Sequence, residues 1–347
     1  MSSAPNFEIC RPNCGPTIDV EFLGVAGFLI RAGHRAILTG PLFTRPNLLE
    51  VINGMPYVAD TAVIDSIIRA HHLSADLHSV RAILVGHSHY DHLMDVPYIA
   101  EKYADSATIY GTPTMGHILA GYADLGPVYH FDPNATSTPQ RGVAVIDEKN
   151  AGDSAHSGDW VHVEEPSDAT DSGSVRFRFM ALRSSHATNF AHLITLFPDT
   201  LHKDDSVPPT LLSDWKGGET YAYMIDVVGA HSAILFRIYY RDTSGDMPNG
   251  YPPIAALDSA RVDLAIICAG NFDQARDYPR ALIRYLNPKL VLAAHWDDFF
   301  VPASDRPKPF PTMNGNKFSK EVDAALPVDG SWFAPEPFTQ FHFYIHH

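Results

Sequence analysis

Ala82-Ile83-Leu84-Val85-Gly86-His87-Ser88-His89-Tyr90-Asp91-His92 is the stretch on which the fold and the chemistry both turn. Four apolar residues closed by a glycine have the length and composition of a short strand buried on both faces. Directly after it, four side chains able to bind a transition metal fall within six residues. Residues two apart in an extended segment point the same way, which offers His87 and His89 to one cation, and the turn that follows can send Asp91 and His92 to a second. A two-metal clamp needs a cluster divided in this manner. Single histidines are ordinarily satisfied polar residues, and with 19 in the chain chance pairs are expected. Density and position after a strand set this group apart.

Outward from the cluster, the pattern is one of alternating strands and helices. Ile18 to Ile30 reads as strand, turn and strand, broken by Gly24 and Gly27, with a further strand at Ala36-Ile37-Leu38 after Gly33-His34. Thr61 to His71 carries Val63, Ile64, Ile67 and Ile68 at helical spacing. Val96 to Tyr103 is expected to be helical and Thr108 to Gly111 a strand, so the cluster occupies the loop of a β-loop-α-β unit. The second half repeats this logic. Strands are expected at Val175 to Leu182, Tyr221 to Val227, Ala233 to Tyr240, Asp263 to Cys268 and Leu290 to Ala294, with a helix at Gln274 to Tyr285. The Asp-, Ser-, Pro- and Gly-rich stretches near 126–173 and 197–220 read as insertions over one domain, 18–347, that follows an N-terminal arm, 1–17. Two similar halves suit an α/β (α+β) fold of four layers, an αββα sandwich.

Composition narrows the function classes. Of 347 residues, 45% are hydrophobic and 19% charged, and no stretch approaches the roughly 20 apolar residues of a membrane span. With 40 acidic against 25 basic residues the formal charge is -15, which repels a nucleic-acid backbone, and no Lys/Arg cluster offsets it. A small-molecule substrate is the expected partner, and the acidity reads as a device for solubility. Three cysteines are too few for a disulfide framework. Cys268, in an apolar run, reads as a buried thiol, whereas Cys10 and Cys14 fit a small disulfide, a metal clip or two separate thiols equally well. Met1 to Phe7 has neither the basic nor the apolar segment of a signal peptide, so a cytoplasmic location is expected.

The cluster resembles the H-x-H-x-D-H signature of the metallo-β-lactamase superfamily, and the family's later ligands have counterparts in order. His186 in Leu182-Arg183-Ser184-Ser185-His186-Ala187 matches the family's lone histidine after a strand. Asp242 in Ile238-Tyr239-Tyr240-Arg241-Asp242-Thr243 matches its G-D-T carboxylate, with Arg241 in place of the glycine. His295 follows the late strand Leu290-Val291-Leu292-Ala293-Ala294 as the final family histidine does. The resemblance spans residues 18 to 300 and implies the αββα fold. It assigns His87, His89 and His186 to a first metal, Asp91, His92 and His295 to a second, and Asp242 to a bridge between them, with Asp226 as a competing bridge because it too follows an apolar run. Imidazole and carboxylate donors suit two Zn²⁺ first, with Mn²⁺ or Fe²⁺ also compatible.

The chemistry so implied is hydrolysis of an ester, lactone, amide or phosphodiester by a metal-bound hydroxide that Asp91 helps to orient, in a layout similar to the ascorbate-phosphate lactonases and lipid-cleaving phosphodiesterases. His89 stands where diiron oxygen-reducing relatives carry Glu, which favours hydrolysis. The rivals are an iron-dependent oxygenase on the same fold and a non-catalytic metal-binding protein. Two departures bear on the site: Gly40, in Ile37-Leu38-Thr39-Gly40-Pro41, replaces a supporting Asp for which Thr39 is a candidate substitute, and Arg241 changes the loop of Asp242. Trp215, in the 197–220 segment that reads as an apolar lid or a packed loop, and Trp296, beside His295, are candidate substrate-binding side chains. His71, His72, His117, His192, His231, His346 and His347 are expected at surfaces or in local hydrogen bonds.

Overall fold

The short apolar runs do form strands, and the strands sort into two sheets. A computed structural model describes residues 17–135, 141–163, 175–188 and 197–345. Cys10, Cys14, His192, His346 and His347 lie outside them. The first sheet contains β1 (Thr17–Gly24), β2 (Gly27–Ala32), β3 (Arg35–Thr39), β4 (Val80–Leu84), β5 (Thr108–Gly111), β6 (Val128–His130), β7 (Gly142–Val145) and the last strand, β15 (Gln340–Tyr344), in the order β15-β1-β2-β3-β4-β5-β7-β6. The second contains β8 (Val161–His162), β9 (Arg176–Arg183), β10 (Tyr221–Val228), β11 (Ile234–Tyr240), β12 (Leu264–Cys268), β13 (Leu290–Ala294) and β14 (Ser331–Phe333), in the order β14-β13-β12-β11-β10-β9-β8. Both sheets are mixed. The β1-β2-β3 meander is antiparallel and β3-β4-β5-β7 parallel, while β8-β9-β10-β11 is antiparallel and β11-β12-β13-β14 parallel.

The parallel strands are mostly apolar because helices cover their outer faces. One core lies between the sheets and joins Phe22, Phe28, Ile37 and Leu84 of the first to Phe179, Tyr223, Ile238 and Leu292 of the second. The outer face of the first sheet packs on α2 (Thr61–Ala70), α3 (Ser74–His78), α4 (Tyr90–Leu93), α5 (Val96–Lys102) and α6 (Pro113–Leu119), which follow the short α1 (Leu48–Asn53). In α2, Asp60 caps the first turn and Ile64, Ile67 and Ile68 supply the buried stripe. The outer face of the second sheet packs on α8 (Arg280–Leu286) and α9 (Gly315–Asp323), with α7 (Ile254–Ser259) between β11 and β12. The layers therefore run helix, sheet, sheet, helix, as the two-halves pattern implied.

One expectation changes, and strands appear where none was placed. Among the described residues of the stretch near 126–173, β6 and β7 complete the first sheet and β8 edges the second. The helix expected at Gln274 to Tyr285 is confined to Arg280–Leu286: Pro279 cannot sit in a helix interior, and residues 272–274 make one isolated 3₁₀ turn. The carboxyl-terminal strand β15 pairs with β1, from Thr17 opposite Tyr344 to Glu21 opposite Gln340. Among the described residues no helix is long and apolar enough to cross a membrane.

Candidate metal centre

After β4 the chain bends at Gly86 and His87 and reaches His89, whose φ of -63° and ψ of 153° make it the residue preceding α4, and α4 then places Asp91 and His92 in one turn. All four side chains are buried. His87 Nε2 lies 3.0 Å from His89 Nδ1, and His92 Nε2 lies 3.2 Å from Asp91 Oδ2. The second sheet delivers its share from three strand ends: His186 lies beyond β9, Asp242 beyond β11 and His295 immediately after β13. Asp242 Oδ2 comes within 3.2 Å of His87 Nδ1 and 3.9 Å of His92 Nδ1, and His295 Nε2 sits 3.1 Å from Asp91 Oδ2. The His186 ring packs at 4.9 Å from His87 and 5.0 Å from His89. All seven expected side chains thus meet, in three groups whose donor atoms lie within 4.8 Å of one another: His87, His89 and His186; His87, His92 and Asp242; and Asp91, His92 and His295.

Close backbone approach makes this possible. A Cβ on Gly86 would collide with the Asp242 carboxylate, and one on Gly217 would press on the His89 ring. Two hydroxyls tie the sheets together beneath the donors, Tyr223 donating to Val85 O at 2.7 Å and Tyr240 to Ala26 O at 2.9 Å. His295 holds a left-handed φ of 55°, a conformation costing about 1 kcal/mol or more for a side chain of this kind. It is pinned there by the Val25 carbonyl, which accepts its N–H, and by Asp297, whose two oxygens accept from Val25 N at 3.0 Å and Arg45 Nη2 at 2.8 Å.

Asp226, the competing bridge, lies elsewhere. It sits within β10, opposite Arg237 of β11 and Arg178 of β9, and pairs with both. Arg237 is five residues before Asp242, about 16 Å along an extended chain at ~3.3 Å per residue.

Three of the imidazoles and the Asp242 carboxyl have the protonation a cation requires. Burial, reinforced by neighbouring imidazoles, pushes His87 down to about 4 and His89 and His186 to about 3. Burial alone would raise Asp242, but the imidazoles of His87 and His92 outweigh it and hold the carboxyl at about 2. Burial opposes His92, yet Asp91 and Asp242 raise it above its ordinary value. Near neutral pH the first group therefore offers neutral nitrogens beside a carboxylate. His87 Nδ1, His92 Nδ1 and Asp242 Oδ1 are also buried with no hydrogen-bond partner. Each such atom costs roughly 1–3 kcal/mol, and a divalent cation among them would remove that cost. The residues present fit a metal pair.

Both departures from the family pattern have structural answers. Gly40 is not a vacant carboxylate position: a Cβ there would strike the His92 carbonyl. Thr39 does not substitute for the missing Asp either, since its hydroxyl accepts from Phe28 N and donates to Ala26 O. Arg241 is fully buried, and its guanidinium donates to the carbonyls of Thr243, Asn249 and Ser185 while lying over the Tyr278 ring. It ties the loop of Asp242 to that of His186.

The two tryptophans are placed differently from the expectation. Trp215 is buried in the core between the first sheet and its helices, and Trp296 donates its indole N–H to Pro335 O. Neither lines the cavities that reach the donors. The segment 197–220 is a packed loop rather than a free lid, held through Tyr57 N to Thr210 O and Asp205 N to His117 O, with Phe197 and Gly217 joined beside His89. The apolar wall comes from Phe299, Phe300 and Phe310, which sequence reading missed although Phe299-Phe300 follows His295 by only four residues.

No protein-family model matches the chain, and no curated protein matches it by sequence. Solved structures do. The isothiocyanate hydrolase from Delia radicum gut bacteria aligns over 94% of this chain and 99% of its own at 11% identity and a TM-score of 0.50. Igni18, a metallo hydrolase from Ignicoccus hospitalis, aligns over 94% and 98% at 11% identity and a TM-score of 0.48. YhfI from Bacillus subtilis, a metallo-beta-lactamase fold protein, aligns over 94% and 100% at 12% identity and a TM-score of 0.46. Identities this low speak to architecture alone. Taken with two mixed sheets packed face to face between helical layers, and with the strand ends converging at one rim, the alignment at a TM-score of 0.50 leads to a single conclusion: the chain is a four-layer αββα sandwich that shares its architecture with the isothiocyanate hydrolase.

Proposed function

We propose that the chain is a metal-dependent hydrolase with a two-metal site, acting on a small molecule through an ester, lactone, amide or phosphodiester bond. The observation that carries this reading is the convergence of seven donors, three of whose buried atoms make no hydrogen bond, with His87, His89, Asp91, His186 and His295 lining the adjoining cavities. His87, His89 and His186 would hold one ion and Asp91, His92 and His295 the other, with Asp242 between them. A Zn²⁺ pair, which the imidazole and carboxylate donors favour, supplies a water acidified to a pKa of about 7 and a Lewis acid for the oxygen of the scissile bond. Asp91, held between the Nε2 atoms of His92 and His295 and lining a cavity, orients the attacking water. Burial keeps the His87, His89 and His186 imidazoles neutral near pH 7, so they are free to bind a cation rather than a proton.

The test joins elemental analysis of the purified protein to a chromogenic ester, lactone, amide and phosphodiester screen. Wild type is expected to carry close to two transition-metal ions and to turn over at least one substrate without oxygen. His89→Ala and His92→Ala should lose metal affinity by more than about 100-fold with an unchanged circular dichroism spectrum. Full activity in either variant would defeat the assignment, and bound iron with oxygen-dependent turnover would move the protein to the oxygenases.

A further inference from the structure

Two cavities reach the donor cluster from different sides, and His89 and His186 line both. Their walls differ in kind. The larger, about 340 Å³, is bordered by Glu148, Arg183 and Glu219 together with Ser184 and Ser185. Arg183 is already paired with Asp153, while Glu148 and Glu219 form no ion pair among the described residues. Glu219 is held in place because its Oε2 accepts the Thr114 N–H at 3.1 Å. The outer mouth is therefore negative.

The smaller cavity, about 80 Å³, is walled by Phe197, Phe299, Phe300 and Phe310 beside Asp91 and His295. The Phe299 and Phe310 rings stack at 5.4 Å and 15°, and Phe299 packs edge-on to His295 at 5.1 Å. Backbone hydrogen bonds fix the wall, from Phe300 N to Asp298 Oδ1 at 3.0 Å and from Phe310 N to Trp296 O at 2.8 Å. A preformed aromatic wall suits an apolar group without an ordering cost.

Resting on the hydrolase reading, we infer that the substrate is an acyl compound without negative charge, an ester, lactone or amide. Its apolar acyl side seats against Phe299 and Phe310. Its leaving group, uncharged or cationic, extends past Glu148 and Glu219. In the reaction the oxygen of water bonds to the acyl carbon, the bond to the alcohol oxygen or amine nitrogen breaks, and the departing atom takes up a proton, leaving a carboxylic acid. Phosphodiesters, anionic at any working pH, are disfavoured at the mouth even though the cations themselves would attract them. Charge at the entrance thus selects within the broader list of bonds.

The inference is tested with three phenyl ketones, isosteres of an ester that cannot be hydrolysed, bearing a neutral, a trimethylammonium or a carboxylate tail, titrated calorimetrically into the metal-loaded protein. The carboxylate probe should bind about fivefold or more weakly than the other two. In the Glu148→Gln, Glu219→Gln double variant, which keeps an acceptor for Thr114, that gap should close while affinity for the neutral probe holds. Phe310→Ala should weaken all three probes about tenfold, and Phe310→Leu by less. Tightest binding of the carboxylate probe, an unchanged gap in the double variant, or indifference to Phe310→Ala would each overturn the inference. Matching esters separate the two readings. Ester turnover without the ranking defeats the inference alone, and the ranking without any turnover defeats the hydrolase reading alone.

Discussion

Asp226 and Asp242 lie on neighbouring stretches of the same β10-β11 hairpin, both fully buried, and their surroundings obey opposite rules. Every oxygen of Asp226 is used: Oδ1 accepts from Arg237 Nε at 2.6 Å, and Oδ2 from Arg178 Nε at 3.0 Å, Arg178 Nη2 at 2.8 Å and Arg237 Nη2 at 2.8 Å. Arg237 spends its remaining N–H groups on the Ala256 and Ala260 carbonyls and the Ser259 hydroxyl. That cluster is closed, with charge balanced by charge. Around Asp242 the neighbours are the imidazoles of His87 and His92, with no guanidinium among them, and Oδ1 has no hydrogen-bond partner. Buried polar groups are normally satisfied, so the difference separates a structural ion pair from a site built for something absent from the chain itself.

Three experiments bear on this contrast. The largest effect is expected at the closed cluster, where Arg237→Ala should lower the free energy of unfolding by about 3–5 kcal/mol, because it breaks a buried ion pair, leaving Asp226 Oδ1 with no donor and Arg178 as the carboxylate's one remaining partner. Metal stoichiometry should not change, and chemical denaturation alongside elemental analysis reads both quantities. Loss of metal in that variant would show that the clusters are coupled. Next, Arg241→Ala removes the tether between the loops of His186 and Asp242 and should weaken metal binding about 10–100-fold, as supporting groups around a metal do. A competition titration against a coloured chelator measures it, and unchanged affinity would reduce Arg241 to packing.

The third experiment concerns acid. His87, His89 and His186 have pKa values depressed in the folded chain, so between about 6.5 and 4 the unfolded chain binds more protons than the folded one. Their contribution to the stability of the metal-free protein is complete above the unfolded value and is lost as pH falls toward the folded values. His92, raised, opposes them in part. The melting temperature of metal-free protein should therefore fall between pH 7 and pH 4, and His89→Ala should flatten the curve. A melting temperature that rises over that window would refute the assigned protonation.

The open cluster was legible in sequence because its parts are local: a buried strand written in four apolar letters, then donors within six residues. The remaining donors could be sought because each sits just past an apolar run, as His186, Asp242 and His295 do. What escaped depends on partners distant in the chain. Gln340-Phe341-His342-Phe343-Tyr344 alternates as a strand should, yet its partner β1 is more than 300 residues away. Trp215 and Phe310 are both aromatic residues in loops, and only tertiary packing decides that the first fills a core and the second a cavity wall. Gly40 read as a deficiency because its reason, the His92 carbonyl against its α-carbon, is a contact between loops.

The division of donors between the sheets has a mechanical side. One sheet presents residues 87 to 92 and the other presents His186, Asp242 and His295, so an occupied centre rivets the rim of the sandwich. A slip of one sheet by a single residue, about 3.3 Å, would carry imidazole and carboxylate beyond reach of a shared ion. Cation affinity is then a gauge of how the two layers are aligned, sensitive to substitutions deep between them, such as at Phe28 and Tyr240, whose rings meet at 6.4 Å and touch no substrate.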